Sequence, residues 1–187
     1  YYIVYNMEQS TNSQDSSSVE KTDTTTELHK LSDTWTLWAH LPHDTDWSLK
    51  SYSEVFTFKH MEELITLNNT IPERMLKNCM LFMMKEGIKP IWEDSENRDG
   101  GCFSYRIANK YIKSIWDHLS YKLVGRTCTK NVKLLNDING ITVSPKKNFC
   151  ILKIWLKSSN FQNPVEIIEF ENFTSTGCLF KRHNPEY

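Results

Sequence analysis

Two tryptophans in polar loops have the residue type and the setting to bind a flat ligand. Trp47 lies in HDTDWSLKS and Trp92 lies in KPIWEDSEN. A large apolar ring in such a loop stays partly in water unless something covers it. Either ring alone could fold down as a plug for its own loop. Two such loops in one small domain favour instead a pair of rings that sandwiches a planar ligand.

Glu93 directly follows Trp92 and offers a way to identify that ligand. A carboxylate beside a stacking ring can accept two parallel hydrogen bonds from a planar donor edge. Guanine presents such an edge through its N1–H and its exocyclic amine, whereas adenine, cytosine and uracil do not. The pair therefore predicts stacking on a base and recognition of guanine. A solvated acidic loop would explain the tripeptide WED equally well.

The segments that must position these loops predict an α+β domain. Aromatic and β-branched residues predict strands over 33–41 and 53–58, joined by the turn-prone PHDTD. Further short strands are predicted for GITVSP, NFCILKIWLK, PVEIIEFE and GCLFKR. We therefore expect a curved antiparallel β-sheet with two main helices packed on its convex face.

Apolar residues at helical spacing predict those two helices. The first stops before Pro72, and its predicted face comprises Met61, Leu64, Ile65 and Asn68. The second stops at Gly125, and its apolar stripe comprises Ile112, Ile115, Trp116, Leu119 and Leu123. Within these strand and helix patterns, the tryptophans predicted to lie in the core are Trp35, Trp38 and Trp116.

The composition restricts the class of function. The formal net charge of −1 over 187 residues gives no global attraction to nucleic acid, so any such binding must be local. The five cysteines are widely spaced and lack a CxxC pair, which favours a reducing, cytoplasmic setting over a disulfide framework or a zinc site. No apolar run reaches membrane-spanning length.

The motifs in the chain favour a binding protein over an enzyme. The sequence has no nucleophile elbow, phosphate-cradling loop or HExxH helix, so we expect no catalysis, metal or cofactor. HLPH, from His40 to His43, is predicted to supply turn residues rather than metal ligands.

The first 27 residues predict a tail. The run EQSTNSQDSSSVEKTDTTTE has almost nothing apolar to bury, so residues 1–27 are predicted to be disordered. We interpret YYIVYN, residues 1–6, as an extension ahead of the true start at Met7. Residues 28–187 are then expected to form a single domain.

Several ordered motifs run through the chain from about His29: HKLSDTWTLW, the isolated Trp47, GIKPIWED with its following GG, IWDHLSYKLVG, and ILKIW. Together they resemble the eukaryotic initiation factor 4E family, whose members bind the 5′ cap of messenger RNA in translation initiation. The resemblance implies a cytoplasmic protein with a cap pocket on the concave face of the sheet. The chain is similar to a trimmed and diverged member, of a kind expected in a parasite or a large virus.

The resemblance also implies roles for individual residues. Trp47 and Trp92 would form the stacking pair, Glu93 would read the guanine edge, and Trp155 would lie against the methyl group. Methylation at N7 makes the base cationic, so each indole face adds a cation–π contribution of about 1–2 kcal/mol to about 1–3 kcal/mol of stacking. Two faces would then favour the methylated base by about a hundredfold or more.

The phosphate side departs from the family pattern. Lys146 falls where the family has an arginine for phosphate, but Ile151 and Cys102 occupy two positions that are basic in the family. Strand alternation suggests a substitute, because Lys153 and Lys157 share a face with the tryptophan of ILKIW. These lysines could also be merely solvated. Weaker phosphate candidates are Lys147, Lys181 and Arg182.

The convex helices depart from the pattern as well. The family places a tryptophan on the first helix where this chain has Ile65, and an acid on the second where it has His118. The partner-binding face is expected to comprise Met61, Ile65, Asp117, His118 and Tyr121. The expected partner is a scaffold like initiation factor 4G or a dedicated protein of different shape. The short LKSSNFQNP leaves no room for the extra helix that the family usually carries there.

Two other classes of function stay open. A general module for single-stranded RNA or nucleotides would stack any base on Trp47 and Trp92, and would discriminate weakly between methylated and plain guanine. A carbohydrate-binding or purely structural domain would use the exposed indoles to cover sugar rings or a protein partner.

Overall fold

The computed structural model describes residues 27–185. Apart from Glu27, the predicted tail of residues 1–27 lies outside the described residues. Within 27–185, no helix is long and apolar enough to cross a membrane.

In the described part of the chain, seven antiparallel strands form one curved sheet in the order β2-β1-β3-β5-β6-β4-β7. The strands are β1 (Lys30–His40), β2 (Tyr52–His60), β3 (Met80–Lys85), β4 (Gly101–Ala108), β5 (Ile138–Pro145), β6 (Phe149–Leu156) and β7 (Leu179–Arg182). The predicted α+β class and the strands on either side of PHDTD are confirmed. Strand β4 lies between β6 and β7, so segments far apart in sequence meet at that edge.

Four α-helices lie within residues 27–185: α1 (Met61–Thr70), α2 (Glu73–Asn78), α3 (Ile112–Val124) and α4 (Val132–Asp137). The longer α1 and α3 are the two predicted helices. The other two span six residues each, which is too short for apolar periodicity to reveal them.

Helix α3 buries the predicted stripe against the sheet. The stripe residues, which are at most 3% exposed, are Ile112, Ile115, Trp116, Leu119 and Leu123. The helix ends at Gly125 as predicted, but the φ of Gly125 is −77°. Arg126 instead takes the left-handed conformation at a φ of 55°. Its guanidinium donates to Asn136 Oδ1 at 2.5 Å, which holds the turn.

Helix α1 buries only part of the set of residues that indicated it by their helical spacing. Leu64, Leu67 and Asn68 are buried, whereas Ile65 is 43% exposed. Asn68 donates through Nδ2 to Ser120 Oγ on α3 at 2.9 Å. This polar contact joins the two helices while Ile65 points outward, as a residue of the predicted partner-binding face must.

The predicted strand PVEIIEFE does not form. Residues Pro164–Glu166 make a single 3₁₀ turn, and Ile167 makes only an isolated bridge to Thr129. Asn131 Nδ2 donates to Glu166 Oε2 at 2.5 Å and holds the segment beside the start of α4. Ile167 is buried in the core and Phe170 packs against it, although neither lies in a strand of the sheet.

The sheet separates a large core from a small one. The large core lies between the sheet and the helices and contains Trp35 and Trp116, as predicted. A smaller cluster on the opposite, concave face comprises Trp38, Phe82, Met84, Ile88 and Trp155. Trp38 is buried as predicted, but in this second cluster, which forms the floor of the concave face.

Candidate functional site

A continuous chain of aromatic rings crosses the concave face and ends at the two loop tryptophans. Successive ring centroids are 4.5 to 6.3 Å apart. The members, in order of contact, are Trp47, His40, Tyr52, Phe82, Trp155, His183 and Trp92. The two exposed indoles therefore belong to one surface.

Trp47 occupies one end of this chain and is 56% exposed. Its indole stacks on the His40 ring with centroids 4.5 Å apart and an interplanar angle of 3°. Two carboxylates shape its loop: Asp44 accepts from the Asp46 amide at 2.9 Å, and Asp46 accepts from the Ser48 amide at 2.7 Å. One face of the indole is thus backed by protein while much of the ring stays accessible.

Trp92 occupies the other end and is 36% exposed. Its loop is organised by Asn97, which is fully buried and donates to the carbonyls of Lys89 at 2.8 Å and Ile91 at 2.9 Å. Asp94 adds a second tie, because its carboxylate accepts from the Lys89 amide at 2.9 Å. These bonds hold the backbone that carries Trp92 without using its ring.

Glu93 lies within electrostatic reach of the same ring chain. Burial raises the pKa of Tyr52 to about 12, and the Glu93 carboxylate contributes in the same direction. Tyr52 therefore stays protonated at neutral pH. Arg98 Nη2 donates to the Glu93 backbone carbonyl at 2.6 Å, which helps fix the position of this residue beside Trp92.

Trp155 lies inside the concave cluster rather than at its surface, with 3% of the residue exposed. Its ring packs between Phe82 at 6.3 Å and His183 at 4.7 Å. Its indole N–H is buried without a hydrogen-bond partner among residues 27–185. Any contact of Trp155 with a ligand would thus involve a small part of its surface.

A cationic row lies beside Trp155 on the concave face. Opposite residues of antiparallel strands share a face, and Cys102 on β4 is opposite both Trp155 on β6 and Lys181 on β7. Lys153, two residues before Trp155, is opposite Ser104 on β4. Burial raises the pKa of the Cys102 thiol, and the nearby Lys153 and Lys181 ammonium groups partly offset this effect. The two lysines therefore flank the position at which the family pattern is basic.

The other predicted cations lie in different settings. Lys157 is ion-paired with Glu96 at 2.8 Å. Lys146 and Lys147 are exposed in the turn between β5 and β6, where the Lys146 amide donates to the Phe149 carbonyl at 2.8 Å. The structure thus brings Lys153 close to Trp155 and places Lys146 and Lys147 at the far end of β6.

Gly100 allows the Trp92 loop to return against β6. A Cβ at Gly100 would lie 1.9 Å from the Leu156 carbonyl oxygen. A Cβ at Gly101 would lie 2.5 Å from Phe180. The GG pair is therefore required for the close packing that begins β4.

The residues predicted to bind a partner lie on α1 and α3. Ile65 and His118 are exposed, and Met61 and Tyr121 are half-buried. Asp117 accepts from Lys113 Nζ at 2.5 Å, so its carboxylate is already paired within α3. The only acid among the five residues is thus already paired, and the other groups are apolar or aromatic.

Sequence reasoning missed the two histidines of the ring chain. His40 was predicted to be a turn residue, but it is the last residue of β1 and is 1% exposed. The signal was present, since His40 follows Trp38 at the period-two spacing of a strand. His183 lies beyond β7 and no local pattern predicts its position beside Trp92.

The model of the eukaryotic initiation factor 4E family matches residues 30–179. The chain belongs to this family. The match includes β1 to β6, both loop tryptophans and Trp155, but ends before His183.

Individual relatives are distant. Eukaryotic translation initiation factor 4E-2 of Schizosaccharomyces pombe is 27% identical over 147 residues, which cover 75% of this chain and 58% of that protein. A homolog of the factor from Acanthamoeba polyphaga mimivirus is 35% identical over 83 residues, or 44% of this chain and 27% of that one. The chain thus spans well under two thirds of the length of these relatives.

A solved structure of the family has a similar fold. Schistosome eIF4E, solved as a complex with m7GpppG and 4E-BP, superimposes with a TM-score of 0.64 at 26% identity. The alignment covers 71% of this chain and 74% of the schistosome chain.

Proposed function

We propose that this chain binds the 7-methylguanosine cap of messenger RNA and acts in translation initiation. Family membership supports the proposal, as does the likeness to a schistosome protein solved with m7GpppG. The single observation that carries it is the ring chain, which joins two exposed indoles to one concave face. The cap-binding domain is proposed to extend over residues 28–187, with residues 1–27 as a tail.

The proposed ligand is a cationic base held between Trp47 and Trp92. Each indole can supply about 1–3 kcal/mol of stacking. The positive charge at N7 adds about 1–2 kcal/mol per face in a partly desolvated site. The indoles would therefore select the charge of the methylated base, and no bond would be broken in the process.

Glu93 is proposed to identify the base as guanine. Its carboxylate lies near enough to Tyr52 to raise the pKa of that phenol, so it belongs to the same surface as the rings. Two parallel hydrogen bonds from N1–H and the exocyclic amine would be charge-assisted, at about 1.5–3 kcal/mol each. The proposed role of Trp155 is contact with the methyl group, from its place between Phe82 and His183.

The phosphates are proposed to run over the cationic row. Lys153 is the leading candidate because it shares the concave face with Trp155 and lies near Cys102, as does Lys181. Lys146 and Lys147 are proposed as outer contacts, since they lie at the far end of β6.

The convex face is proposed to bind a protein partner in the cytoplasm. Its residues are Met61, Ile65, Asp117, His118 and Tyr121. The partner would be a scaffold of the initiation factor 4G type or a dedicated protein. Because Ile65 is exposed and Asp117 is already paired with Lys113, we favour a partner that relies on apolar contacts.

Titration of intrinsic tryptophan fluorescence tests the proposal. We expect 7-methylguanosine triphosphate to bind about a hundredfold more tightly than guanosine triphosphate. Val165→Ala, at an apolar position that is 69% exposed outside the ring chain, serves as the control and should bind like the parent chain. Equal affinity for methylated, plain and adenine nucleotides would support the general nucleotide-binding module. No binding of any nucleotide would reject the base sandwich.

A further inference from the structure

Each loop tryptophan rests on a buried histidine. Trp47 stacks on His40 with centroids 4.5 Å apart, and Trp92 stacks on His183 with centroids 5.9 Å apart and an interplanar angle of 13°. His40 is 1% exposed and His183 is 7% exposed. The two ends of the ring chain are thus built in the same way from segments at opposite ends of the domain.

Each histidine is also bonded to the backbone of the loop that carries its tryptophan. His40 Nε2 lies 2.9 Å from the Asp46 carbonyl oxygen, one residue before Trp47. His183 Nδ1 lies 2.7 Å from the Asn97 carbonyl oxygen, in the Trp92 loop. A carbonyl oxygen only accepts, so each of these ring nitrogens carries a hydrogen and donates.

The second nitrogen of each ring is left without a partner. His40 Nδ1 and His183 Nε2 are buried and have no hydrogen-bond partner within residues 27–185. In a neutral imidazole this nitrogen carries a lone pair and no hydrogen. Protonation would place an N–H and a positive charge in a buried position without an acceptor, which is costly. For His183, which also lies near the Lys153 ammonium, the neutral ring is favoured.

We propose that His40 and His183 are positioning residues that hold Trp47 and Trp92 in place for a cationic base, and that His183 must be uncharged for that base to bind. The inference rests on the proposed cap-binding function and names two residues that determine its specificity. A neutral ring leaves the indole free to attract a cation on its other face. A protonated His183 beside Trp92 and Trp155 would itself form the cation–π contact with the indole, and its positive charge would repel the cationic base.

The charges around the two histidines differ. Burial lowers the pKa of His183; the Lys153 ammonium on β6 acts in the same direction, while the bond to Asn97 opposes it. The Gly100 carbonyl, just before β4, accepts from the His183 amide at 3.1 Å. Around His40 lie the Asp46 carboxylate and, from β2, the neutral Tyr52 ring. His183 is therefore the better site for a test of charge.

The sign of the pH effect follows from the lowered pKa of His183. At neutral pH the ring is uncharged in both the folded and the unfolded chain. As the pH falls, the unfolded chain takes up the proton first, and this lowers the stability of the folded chain until the folded ring is itself protonated at lower pH. Protonation of the folded ring is the step that weakens base binding. We therefore expect the affinity of the parent chain for the nucleoside 7-methylguanosine to fall, relative to that of a chain without a titratable ring at this position, as the pH drops below the ordinary histidine pKa of about 6.5.

Two substitutions at His183 distinguish the contribution of the aromatic ring from that of the hydrogen bond to Asn97. His183→Asn keeps a donor for the Asn97 carbonyl but removes the ring, and we expect it to lose about tenfold or more in nucleoside affinity at neutral pH. His183→Phe keeps a ring that cannot be charged. We expect it to retain more affinity than His183→Asn and to lose less than the parent chain on acidification. The nucleoside has no phosphate that titrates in this range. Its own N1–H does titrate near neutral pH, so the affinities of the parent chain and the variants are compared with each other at each pH.

His43→Phe is the matched control, because His43 is an exposed histidine on the Trp47 loop. It should keep both the affinity and the pH profile of the parent chain. A folded His183→Asn chain with parental affinity, or a His183→Phe chain with the parental pH profile, would overturn the inference. If His183→Asn does not fold, the pH profile of His183→Phe decides alone. A parent chain that binds no 7-methylguanosine would instead refute the proposed function.

Discussion

Replacing Trp92 with alanine should abolish most of the selectivity for a methylated base while leaving the fold intact. Trp92 is 36% exposed, and its ring centroid lies 5.9 Å from that of His183. The loop that carries Trp92 is held by hydrogen bonds of Asn97 and Asp94 rather than by the indole. Removal of the ring therefore costs the fold little. It exposes one face of a bound base to water.

The magnitude follows from what that face supplies. Stacking on one indole is worth about 1–3 kcal/mol, and the cation–π contribution of one face is worth about 1–2 kcal/mol. Their sum predicts a loss of about 30-fold to a few thousandfold for 7-methylguanosine triphosphate. Guanosine triphosphate lacks the cationic contribution, so its affinity should fall less, by about 5-fold to 150-fold. The ratio between the two ligands should thus fall by about tenfold.

Isothermal titration calorimetry with both nucleotides measures this ratio, and circular dichroism verifies the fold. Trp92→Phe provides the matched comparison, because it keeps a smaller aromatic face and should recover part of the loss. Parental affinity in a folded Trp92→Ala chain would refute the assignment of Trp92 to the sandwich. An equal loss of affinity for the methylated and the plain nucleotide would refute the cation–π contribution but would still agree with stacking of the base on Trp92.

Three further outcomes are expected. In filter-binding assays at two salt concentrations, Lys153→Ala should weaken binding of the triphosphate and reduce its salt dependence, with little effect on the bare nucleoside. The control Lys157→Ala removes a lysine that is already paired with Glu96 and should bind like the parent chain. Equal losses for nucleoside and triphosphate would exclude Lys153 as a phosphate ligand. A helical peptide of the YxxxxLΦ type, with Φ apolar, should bind the parent chain weakly when measured by fluorescence anisotropy. The double variant Ile65→Trp and His118→Glu should bind the peptide more tightly. Tight binding of the peptide to these helices of the parent chain would show that Ile65 and His118 do not impair binding. Gly100→Ala should lower the free energy of unfolding in urea by about 1–3 kcal/mol or more, because the added Cβ would lie 1.9 Å from a β6 carbonyl oxygen. An unchanged unfolding midpoint would contradict that close packing.

Local patterns in the chain were sufficient for most of the fold. The period of β6 places Lys153 and Trp155 on one face, and the stripe of α3 is buried residue for residue as predicted. The segment PVEIIEFE shows where such patterns fail. Its apolar and β-branched residues favour a strand, but a strand needs a neighbour to pair with, and only Thr129 is opposite Ile167. Helical spacing also left open which side of α1 packs, and the structure places Leu67 in the core and Ile65 at the surface.

The candidate site, like the fold, was predictable from the sequence only in part. The sequence alone singled out the residues that are proposed to carry the chemistry, namely Trp47, Trp92 and Glu93, because a large apolar ring in a polar loop is unusual wherever that loop lies. Only the tertiary structure decided what stands behind them. Strand β4 pairs with β6 and β7, and this long-range order places Cys102 between Lys153 and Lys181 and brings His183 against Trp92. Such contacts join residues 86 positions apart, as in the His183–Asn97 bond, and no local period in the chain encodes them, because strand order is set by the packing of the whole sheet.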